Sequence, residues 1–480
     1  MSSNGVGGNV AQPGGFSFRL CCLWLVTAIL IWSAWAFGGL VTNWLLPAVL
    51  LAAVLLIFAV TSLPGNRRAV CRDPLFWAGL FFLLYISVQW WNAGRIAYFD
   101  VGLKKWTFTP PPHPGWPWAF GRPAALQMQM WFFPAWVLAV VLRLMQVTAR
   151  EAGRLLRMLV YNAGLLALVG VVQFAAGAAR MYGLAPMNTS FFASFGYTNH
   201  AAAYFVLMAA VAAGLLFHEM FKPAADQQRA RISMLAASAV LCLAGANFSL
   251  SRAGIILSWA LVVFAAGYGM LGGWSRLRPV ARLKLAVLSV ATVVVLYWAV
   301  AGFGAKAICH EFKIWNPVAF NAIPGLEYVN LNMDDRWDLD VAAWQIWRDH
   351  PWYGVGGWGF RHLVAYYVPV SQWRNLEKPG KANVHCDPLQ FLAEFGVIGC
   401  LAGMVVLGVL FRPLAQARVW RSAVGMMGVA GLGGVAIFSL IDLPFRCPAV
   451  LWTWTSVVVL LPRAVGGFCH SGNMRARSSS

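Results

Sequence analysis

Long apolar segments alternate with short polar connections along almost the whole chain. A helix that crosses a hydrocarbon core of roughly 30 Å needs about 20 mostly apolar residues, so this pattern predicts about twelve transmembrane helices. They are predicted at residues 18–38, 41–62, 75–92, 126–146, 157–177, 199–218, 232–250, 253–272, 286–304, 395–411, 422–441 and 449–465. The expected fold class is an all-α integral membrane protein with a single polytopic domain over residues 17–467.

Two polar segments interrupt this rhythm. Residues 93–125 contain the proline run Pro110–Pro112, which forbids a helix and favours an extended path along the membrane surface. Residues 306–391, between the ninth and tenth predicted helices, form a long loop that is rich in tryptophan. Within it, residues 334–350 have aromatic and apolar side chains at intervals of three and four, which predicts a surface helix that ends at Pro351.

Composition excludes an ordinary soluble domain. Hydrophobic residues make up 60% of the chain and charged residues 11%, with a mean hydropathy of +0.66, whereas soluble domains have about 25% charged residues. The first apolar segment has no strong basic region before it and no small-residue cleavage site, so it is expected to be a retained helix and not a signal peptide. Residues 1–16 and 468–480 are predicted to be disordered.

The net charge of +20 has a distribution that argues against nucleic-acid binding. Alternate connections carry the basic residues, while most acids lie in the other connections, which is the positive-inside pattern of membrane proteins. This predicts cytoplasmic termini and places residues 306–391 outside the cytoplasm. The basic groups are Arg67, Arg68 and Arg72; Arg150, Arg154 and Arg157; Lys222, Arg229 and Arg231; Arg276, Arg278, Arg282 and Lys284; Arg412, Arg418 and Arg421; and Arg463, Arg475 and Arg477.

The nine cysteines have no metal-type spacing. Cys309 and Cys386 share the 306–391 loop and could form a disulfide in an oxidising compartment, although the sequence does not show whether they meet. The glycine run at residues 354–359 neither follows a strand nor opens a basic helix, so it is neither a dinucleotide-binding motif nor a P-loop. No metal and no cofactor is predicted.

Four polar residues at predicted helix boundaries are candidates for chemistry, and each has a simpler alternative. Arg252 joins two apolar segments and either binds an anion or reaches to lipid headgroups. Arg336 either grips a phosphate or is a solvated partner of the acids beside it. His385 can exchange protons near neutral pH, or it is an ordinary polar loop residue near Asp387. Asn199 is more simply a helix cap.

These boundary segments resemble the O-antigen ligase/polymerase superfamily of bacterial membrane glycosyltransferases. The similar stretches are residues 195–200 (FGYTNH), 251–254 (SRAG), 335–337 (DRW), 343–344 (AW), 350–356 (HPWYGVG) and 385–396 (HCDPLQFLAEFG). Their order and spacing carry the resemblance over residues 155–415. Two positions depart from the family pattern, because Cys386 and Pro388 stand where the family often has asparagine and tyrosine.

The resemblance implies a polytopic bundle like that of the GT-C glycosyltransferases, in the bacterial inner membrane, with an extracytoplasmic active site. It implies transfer of a glycan from a polyprenyl-diphosphate carrier to an acceptor hydroxyl, without a nucleotide sugar or an obligatory metal. His385 would act on the acceptor proton, and Arg252 and Arg336 would bind the diphosphate. Four further residues are expected to contact substrate: Asn199, Arg361, Trp337 and Asp387.

The leading functional hypothesis is a ligase that transfers glycan to lipid A–core or a similar acceptor. The alternative is a polymerase for O-antigen or exopolysaccharide that uses the same lipid-linked donor, and a further relative would glycosylate protein. A transporter of lipid-linked glycan without catalysis is a less favoured class. Transporters tend to have internal repeats and polar groups at mid-membrane, whereas this sequence shows no repeat and its polar residues gather at the external ends of the predicted helices. The expected partners are the lipid-linked donor, a glycan or lipid acceptor and membrane lipid, with no nucleic acid.

Overall fold

The computed structural model of the protein describes residues 13–62, 66–95, 97–102, 105–184, 191–221, 226–269, 326–368 and 382–476. These residues are helical apart from their connections and one short two-stranded hairpin. The helices are α1 (Pro13–Trp35), α2 (Thr42–Ser62), α3 (Asn66–Arg72), α4 (Pro74–Trp91), α5 (Arg122–Leu144), α6 (Ala149–Ala175), α7 (Thr198–Met220), α8 (Asp226–Phe248), α9 (Arg252–Tyr268), α10 (Leu326–Asp349), α11 (Gly359–Tyr367), α12 (Asp387–Gln416), α13 (Ala423–Phe438) and α14 (Pro448–Ala476).

The protein is a multi-pass membrane protein. Nine of the helices in the described ranges are long and apolar enough to cross a membrane: α1, α2, α4, α5, α6, α7, α8, α12 and α14. Two shorter apolar helices, α9 and α13, coincide with two more of the predicted segments. The remaining prediction, at residues 286–304, lies outside the described residues. Helical backbone extends into residues 13–16 and 468–476, which composition alone predicts to be disordered.

Helix α7 is the centre of the bundle, since nearly all its residues are buried. It packs against α8 and α13, which lie beside it along most of its length. Small residues permit this close approach: a Cβ added at Gly431 of α13 would lie 2.6 Å from the Cβ of Ala210 on α7. Small residues at helix contacts are typical of membrane bundles, where packing replaces the hydrophobic effect between helices.

The two ends of the bundle differ in their polar groups. At one end, Arg143 at the end of α5 pairs with Asp73 before α4 at 3.1 Å. At the same end, Arg19 of α1 pairs with Glu151 of α6 at 2.7 Å. The opposite end carries α10, α11, the hairpin and the first residues of α7, α9 and α12. Chemistry-bearing residues concentrate at this second end, which we call the capped end.

The capped end confirms the surface helix and qualifies the all-α prediction. Helix α10 begins at Leu326, earlier than predicted, and ends at Asp349 just before Pro351. In the proline-rich segment, strands β1 (Ala97–Asp100) and β2 (Lys105–Phe108) pair in antiparallel register. The prolines at 110–112 follow β2, and the backbone there is not helical.

Helix α12 is broken at Gly396, where φ is 62° and ψ is −170°. This conformation is almost exclusive to glycine. A Cβ at Gly396 would also lie 2.4 Å from the carbonyl oxygen of Trp352. The loop at residues 351–356 packs directly against this break, so Gly354 and Gly356 of the glycine run are closely packed.

Candidate functional site

Three chain segments meet around one buried carboxylate at the capped end. They are the start of α7 with the residue before it, the segment 383–387 that leads into α12, and the loop 439–447 between α13 and α14. The carboxylate belongs to Asp442, whose side chain is 2% exposed. All three segments are helix boundaries, where backbone groups without helical partners and polar side chains gather.

His385 faces Asp442 from the segment before α12. Its Nδ1 lies 3.6 Å from Oδ2 of Asp442, and its side chain is 18% exposed, so one side of the imidazole remains open. His385 has a left-handed backbone with φ of 59°, a conformation that non-glycine residues rarely adopt and that often marks functional positions. The arrangement is a histidine held by an acid, with its second nitrogen directed away from that acid.

Asp442 accepts hydrogen bonds from several donors, while His385 lies at ion-pair distance from it. The Tyr197 hydroxyl donates to Oδ2 at 2.9 Å, and the Asn199 amide donates to the same oxygen. The backbone N–H of Leu443 donates to Oδ1 at 2.7 Å. Burial acts to raise the pKa of Asp442, but hydrogen bonding and the nearby imidazole of His385 outweigh it, and the pKa is lowered. Asp442 is therefore an anion at neutral pH.

Tyr197 and Asn199 also contact this anion, and we call Asp442, His385, Tyr197 and Asn199 the Asp442 cluster. Burial, followed by the charge of Asp442, raises the pKa of Tyr197 well above its ordinary value. The phenol therefore stays protonated and donates a hydrogen bond to Asp442. Asn199 also donates to the Tyr197 hydroxyl at 2.8 Å. His200, one residue further, contacts the carbonyl of Leu443 at 3.0 Å through Nε2. The side chain of Asn199 thus holds Asp442, which is a more specific role than capping α7.

Helix α10 brings Arg336 to the same neighbourhood. The Arg336 side chain is exposed, yet its charge is close enough to influence the pKa of both Tyr197 and Asp340. Burial raises the pKa of Asp340, and the charges of His385 and Arg336 oppose this. Arg336, Asp340 and His385 therefore lie within electrostatic reach of one another around the Asp442 cluster.

Helix packing places the start of α9, where Arg252 lies, against the first turns of α7. It is the first residue of α9, whose N-cap Ser251 accepts a hydrogen bond from Gly254 N–H at 3.2 Å. Gly254 packs against α7 so closely that an added Cβ would lie 2.3 Å from that of Ala202, in the turn that follows Asn199. Arg252 itself is half-buried. The described contacts do not join its guanidinium to His385 or Arg336.

A second cluster, of charged side chains that are almost completely buried, lies beside the residues around Asp442. Arg446 is 2.8 Å from Glu394 through Nη1 and 3.6 Å from Asp387 through Nε. Asp387 also accepts a hydrogen bond from Phe445 N–H at 3.0 Å, and its own N–H donates to the Ser439 carbonyl at 2.8 Å. Gln390 donates to the other oxygen of Glu394 at 2.9 Å. We call Arg446, Asp387 and Glu394 the buried ion cluster.

The two clusters share the same pair of chain segments. His385 and Asp387 lie on one segment, and their partners Asp442 and Arg446 lie on the other. The sequence suggested that Asp387 contacts substrate, but its carboxylate is buried against Arg446 and a backbone donor. Its position suits holding the two segments together.

Trp358 connects these clusters to an open cleft. The Arg361 guanidinium lies 3.4 Å from the Trp358 ring centroid, and that of Arg446 lies 4.9 Å from it. Arg361 also donates to Asn383 Oδ1, at 3.1 Å from Nε and 2.8 Å from Nη2. Because Asn383 is two residues before His385, Arg361 is tied to the segment that carries the histidine.

The cleft next to Trp358 has a volume of about 440 Å³. Its walls combine apolar residues of α5 with the positive charge of Arg361, while burial and the Arg361 charge lower the pKa of His362 and keep that imidazole neutral. The lining residues are Thr42, Gly121, Pro123, Ala124, Leu126, Gln127, Met130, Trp358, Arg361 and His362.

The remaining predicted residues take separate places. Trp337 is 68% exposed and follows Arg336 on α10, so its ring is open to contact. Cys309 lies outside the described residues, and its pairing with Cys386 stays a prediction. Among the described residues, no group of three His, Cys, Asp or Glu side chains is arranged to hold a metal ion.

Sequence inspection missed Asp442, Arg446 and Tyr197. A signal for the first two existed, since an acid and an arginine within residues 439–447 separate two apolar segments at the same end as His385. Ionisable residues so close to hydrocarbon usually have partners and a function. Their partners could not be identified without the fold.

Comparison with models of known protein families gave a match to part of the chain. Residues 237–404 match a family model described as O-antigen ligase. The matched region contains Arg252, Arg336, Arg361 and His385, and it ends before Asp442. No curated protein matched the chain.

Proposed function

The chain is a member of the O-antigen ligase superfamily, and on this premise we propose that it transfers a glycan from a polyprenyl-diphosphate carrier to an acceptor hydroxyl. The single observation that carries the proposal is the pairing of His385 with the buried Asp442 anion, next to Arg336, at one end of a membrane-helix bundle. Members of the family are glycosyltransferase-like ligases and polymerases.

In the proposed reaction, His385 is the general base. Its Nδ1 faces Asp442, so the tautomer with hydrogen on Nδ1 leaves Nε2 to accept a proton. The acceptor oxygen loses its proton to Nε2 as it bonds to the anomeric carbon of the donor sugar. The bond from that carbon to the diphosphate oxygen breaks, and the electron pair leaves with the diphosphate. Asp442 stabilises the imidazolium that forms.

Arg336 and Arg252 would stabilise the leaving diphosphate. Negative charge grows on the diphosphate as the bond breaks, and fixed cations near a low-dielectric boundary stabilise such charge strongly. The exposed side chain of Arg336 beside the cluster and the half-buried Arg252 at the start of α9 are suitably placed to approach it from two helices. Guanidinium groups also match phosphate oxygens in bidentate geometry.

We assign the other candidate residues either to positioning the catalytic groups or to binding the substrate. Asn199 and Asp387 are assigned positioning roles, because their side chains are engaged with Asp442 and Arg446. Arg361 and the cleft are assigned to the lipid-linked substrate, since apolar walls beside a cation suit an amphiphile with a phosphate head. Trp337, with its exposed ring, is assigned to a sugar face.

We place the capped end outside the cytoplasm of a bacterial inner membrane. The support is the charge distribution, because the opposite end carries the connections that begin with Arg67, Arg150 and Arg412. Lipid-linked donor and acceptor would then both reach the site from the outer leaflet.

Ligase and polymerase activities use the same donor chemistry, and glycan profiles separate them. Membranes from cells with and without the gene are compared for lipid-linked and capped glycans. If cells without the gene lose all lipid acceptor that carries glycan, the protein is a ligase. If they retain products with a single repeat, it is a polymerase. Purified protein reconstituted with undecaprenyl-diphosphate-linked oligosaccharide provides the direct test: lipid movement without a new glycosidic bond would refute the enzyme proposal.

A further inference from the structure

The break in α12 divides that helix into two parts with different surroundings. The first part, residues 387–395, carries Asp387 and Glu394 of the buried ion cluster. The second part, after Gly396, continues as a membrane-spanning segment. Discontinuous helices tolerate their broken backbone only where other protein groups take up the released hydrogen bonds.

The loop at residues 351–356 takes up most of these backbone groups. Val355 N–H donates to the Ala393 carbonyl at 3.1 Å, and Gly356 N–H donates to the Glu394 carbonyl at 2.8 Å. In the other direction, Val397 N–H donates to the Pro351 carbonyl at 2.8 Å, and Ile398 N–H to that of Trp352 at 3.1 Å. We call these four hydrogen bonds and the two segments that they join the seam.

Two side chains of α4 complete the seam from the membrane side. The Tyr85 hydroxyl lies 2.7 Å from the Phe395 carbonyl and 2.9 Å from the Tyr353 carbonyl, so its single proton is shared between them. Gln89 donates to the Tyr353 carbonyl at 3.0 Å and reaches that of Glu394 at 3.5 Å. Both residues are buried.

Burying a hydroxyl and an amide inside a membrane helix is costly unless each has a specific partner. Here the partners are carbonyls of Phe395 and Glu394, just before the break, and of Tyr353 in the loop that packs against it. Apolar side chains at residues 85 and 89 would take these side-chain donors away from the carbonyls of Phe395 and Tyr353. The seam sets the position of residues 387–395 relative to the membrane-spanning part of α12. Through Glu394 and Asp387 this half-helix holds Arg446, and the loop with Arg446 also carries Asp442 opposite His385.

We propose that Tyr85 and Gln89 are positioning residues that hold the seam and thereby align Asp442 with His385. Tyr85 and Gln89 act through the buried ion cluster and contact neither Asp442 nor His385. The expected loss of kcat rests on the proposed function, whereas the role of Tyr85 and Gln89 in holding the seam does not.

The test compares the double variant Tyr85→Phe/Gln89→Met with the control Ser87→Ala. Ser87 lies on α4 between the two residues, but its hydroxyl bonds the Leu83 carbonyl and the Gln129 amide, away from the seam. Two measurements are made on full-length reconstituted protein: hydrogen exchange at the amides of residues 355, 356, 397 and 398, and transfer from undecaprenyl-diphosphate-linked oligosaccharide with separate kcat and KM.

In the double variant, exchange at the four amides is expected to rise about tenfold or more. We expect kcat to fall by about 10²-fold, since a misplacement of about 1 Å can have this effect, with KM nearly unchanged. Tyr85→Phe with Gln89 retained should show a smaller change in both, and Ser87→Ala should match the wild type. A purely stabilising role would reduce the folded fraction without changing kcat per folded molecule.

The outcomes separate this inference from the proposed function. Wild-type exchange and wild-type kcat in a folded double variant would overturn the positioning role, as would faster exchange with unchanged kcat. If the wild-type protein transfers no glycan, the proposed function fails. The exchange measurement then decides the role of Tyr85 and Gln89 at the seam, and unchanged exchange would reject it.

Discussion

His385 Nδ1 lies 3.6 Å from Asp442 Oδ2, although the whole of α12 and α13 separates the two residues along the chain. The contact closes a membrane-spanning hairpin on itself, so the acid and the histidine come together only when both helices are in place. The neighbouring pair of Arg446 and Asp387 joins the same two segments. Alignment of the histidine therefore depends on residues that need not touch substrate.

The first prediction concerns this pair. His385→Ala is expected to reduce glycan transfer by about 10²–10⁴-fold, which is the typical contribution of a general base. Asp442→Asn should also impair transfer, because it removes the charge that stabilises the imidazolium. The measurement is transfer in reconstituted membranes at equal protein levels. His113→Ala is the control, since His113 is an exposed histidine that stacks on Trp91 at the same end; wild-type activity in His385→Ala would remove the base from the mechanism.

Arg336 provides the second prediction, and the same helix offers its control. Arg336→Ala should lower transfer by about 10²-fold or more, because a fixed cation that stabilises the leaving charge is lost. Arg336→Lys should recover only part of the activity, since ammonium lacks the bidentate geometry. Arg348→Ala removes another exposed arginine of α10 and should be neutral.

Arg252→Ala gives a separate expectation. Transfer should be lost while the protein remains in the membrane, since Arg252 is the second proposed ligand of the diphosphate. Binding of a polyprenyl diphosphate without glycan distinguishes this role from headgroup contact. Wild-type affinity for that lipid in the Arg252→Ala variant would favour the simpler interpretation of an arginine that reaches to headgroups.

Arg446 is expected to matter for stability. Arg446→Met leaves two buried carboxylates without their cation, and breaking a buried pair in this way costs about 3–5 kcal/mol. Arg19→Ala removes a partly exposed pair at the other end and should cost about 0–1 kcal/mol. Thermal unfolding in detergent measures both. Adding Glu394→Gln and Asp387→Asn to Arg446→Met should restore part of the loss, and no restoration would mean that the charges are not the cause.

Much of the fold follows from the apolar pattern. The segment predicted at 199–218 is α7 (Thr198–Met220), and that at 126–146 is α5 (Arg122–Leu144). These agree because the bilayer demands helices of a set length and composition. The break at Gly396 was not predicted, since hydropathy does not report backbone conformation. It depends on carbonyl partners in residues 351–356, which are distant in sequence.

The candidate site was predictable only in part. The motifs directed attention to His385, Arg336 and Asn199, which the fold brings to one neighbourhood. The acid that faces His385 could not be identified from the sequence, because the sequence does not distinguish among the several acids at the capped end. Asp387, two residues after His385, was the natural candidate, but its carboxylate faces Arg446 instead.

The last prediction is a pH dependence that originates in the cap. Burial, followed by the charge of Arg95, lowers the pKa of His350 from 6.5 to about 4. Below pH 6.5 the unfolded chain binds a proton that the folded chain does not bind, so stability should fall as pH decreases from about 6.5 towards 4. Below about pH 4 this residue contributes no further change.

His350→Phe isolates this effect, because it removes the titrating group and keeps an aromatic ring against Trp118, whose centroid is 5.3 Å from that of His350. The melting temperature of the variant, followed by tryptophan fluorescence, should depend less on pH between 4 and 6.5 than that of the wild type. His113→Ala, at an exposed position, should keep the wild-type slope. Equal slopes in wild type and His350→Phe would show that the half-buried His350 is not the source of the acid sensitivity.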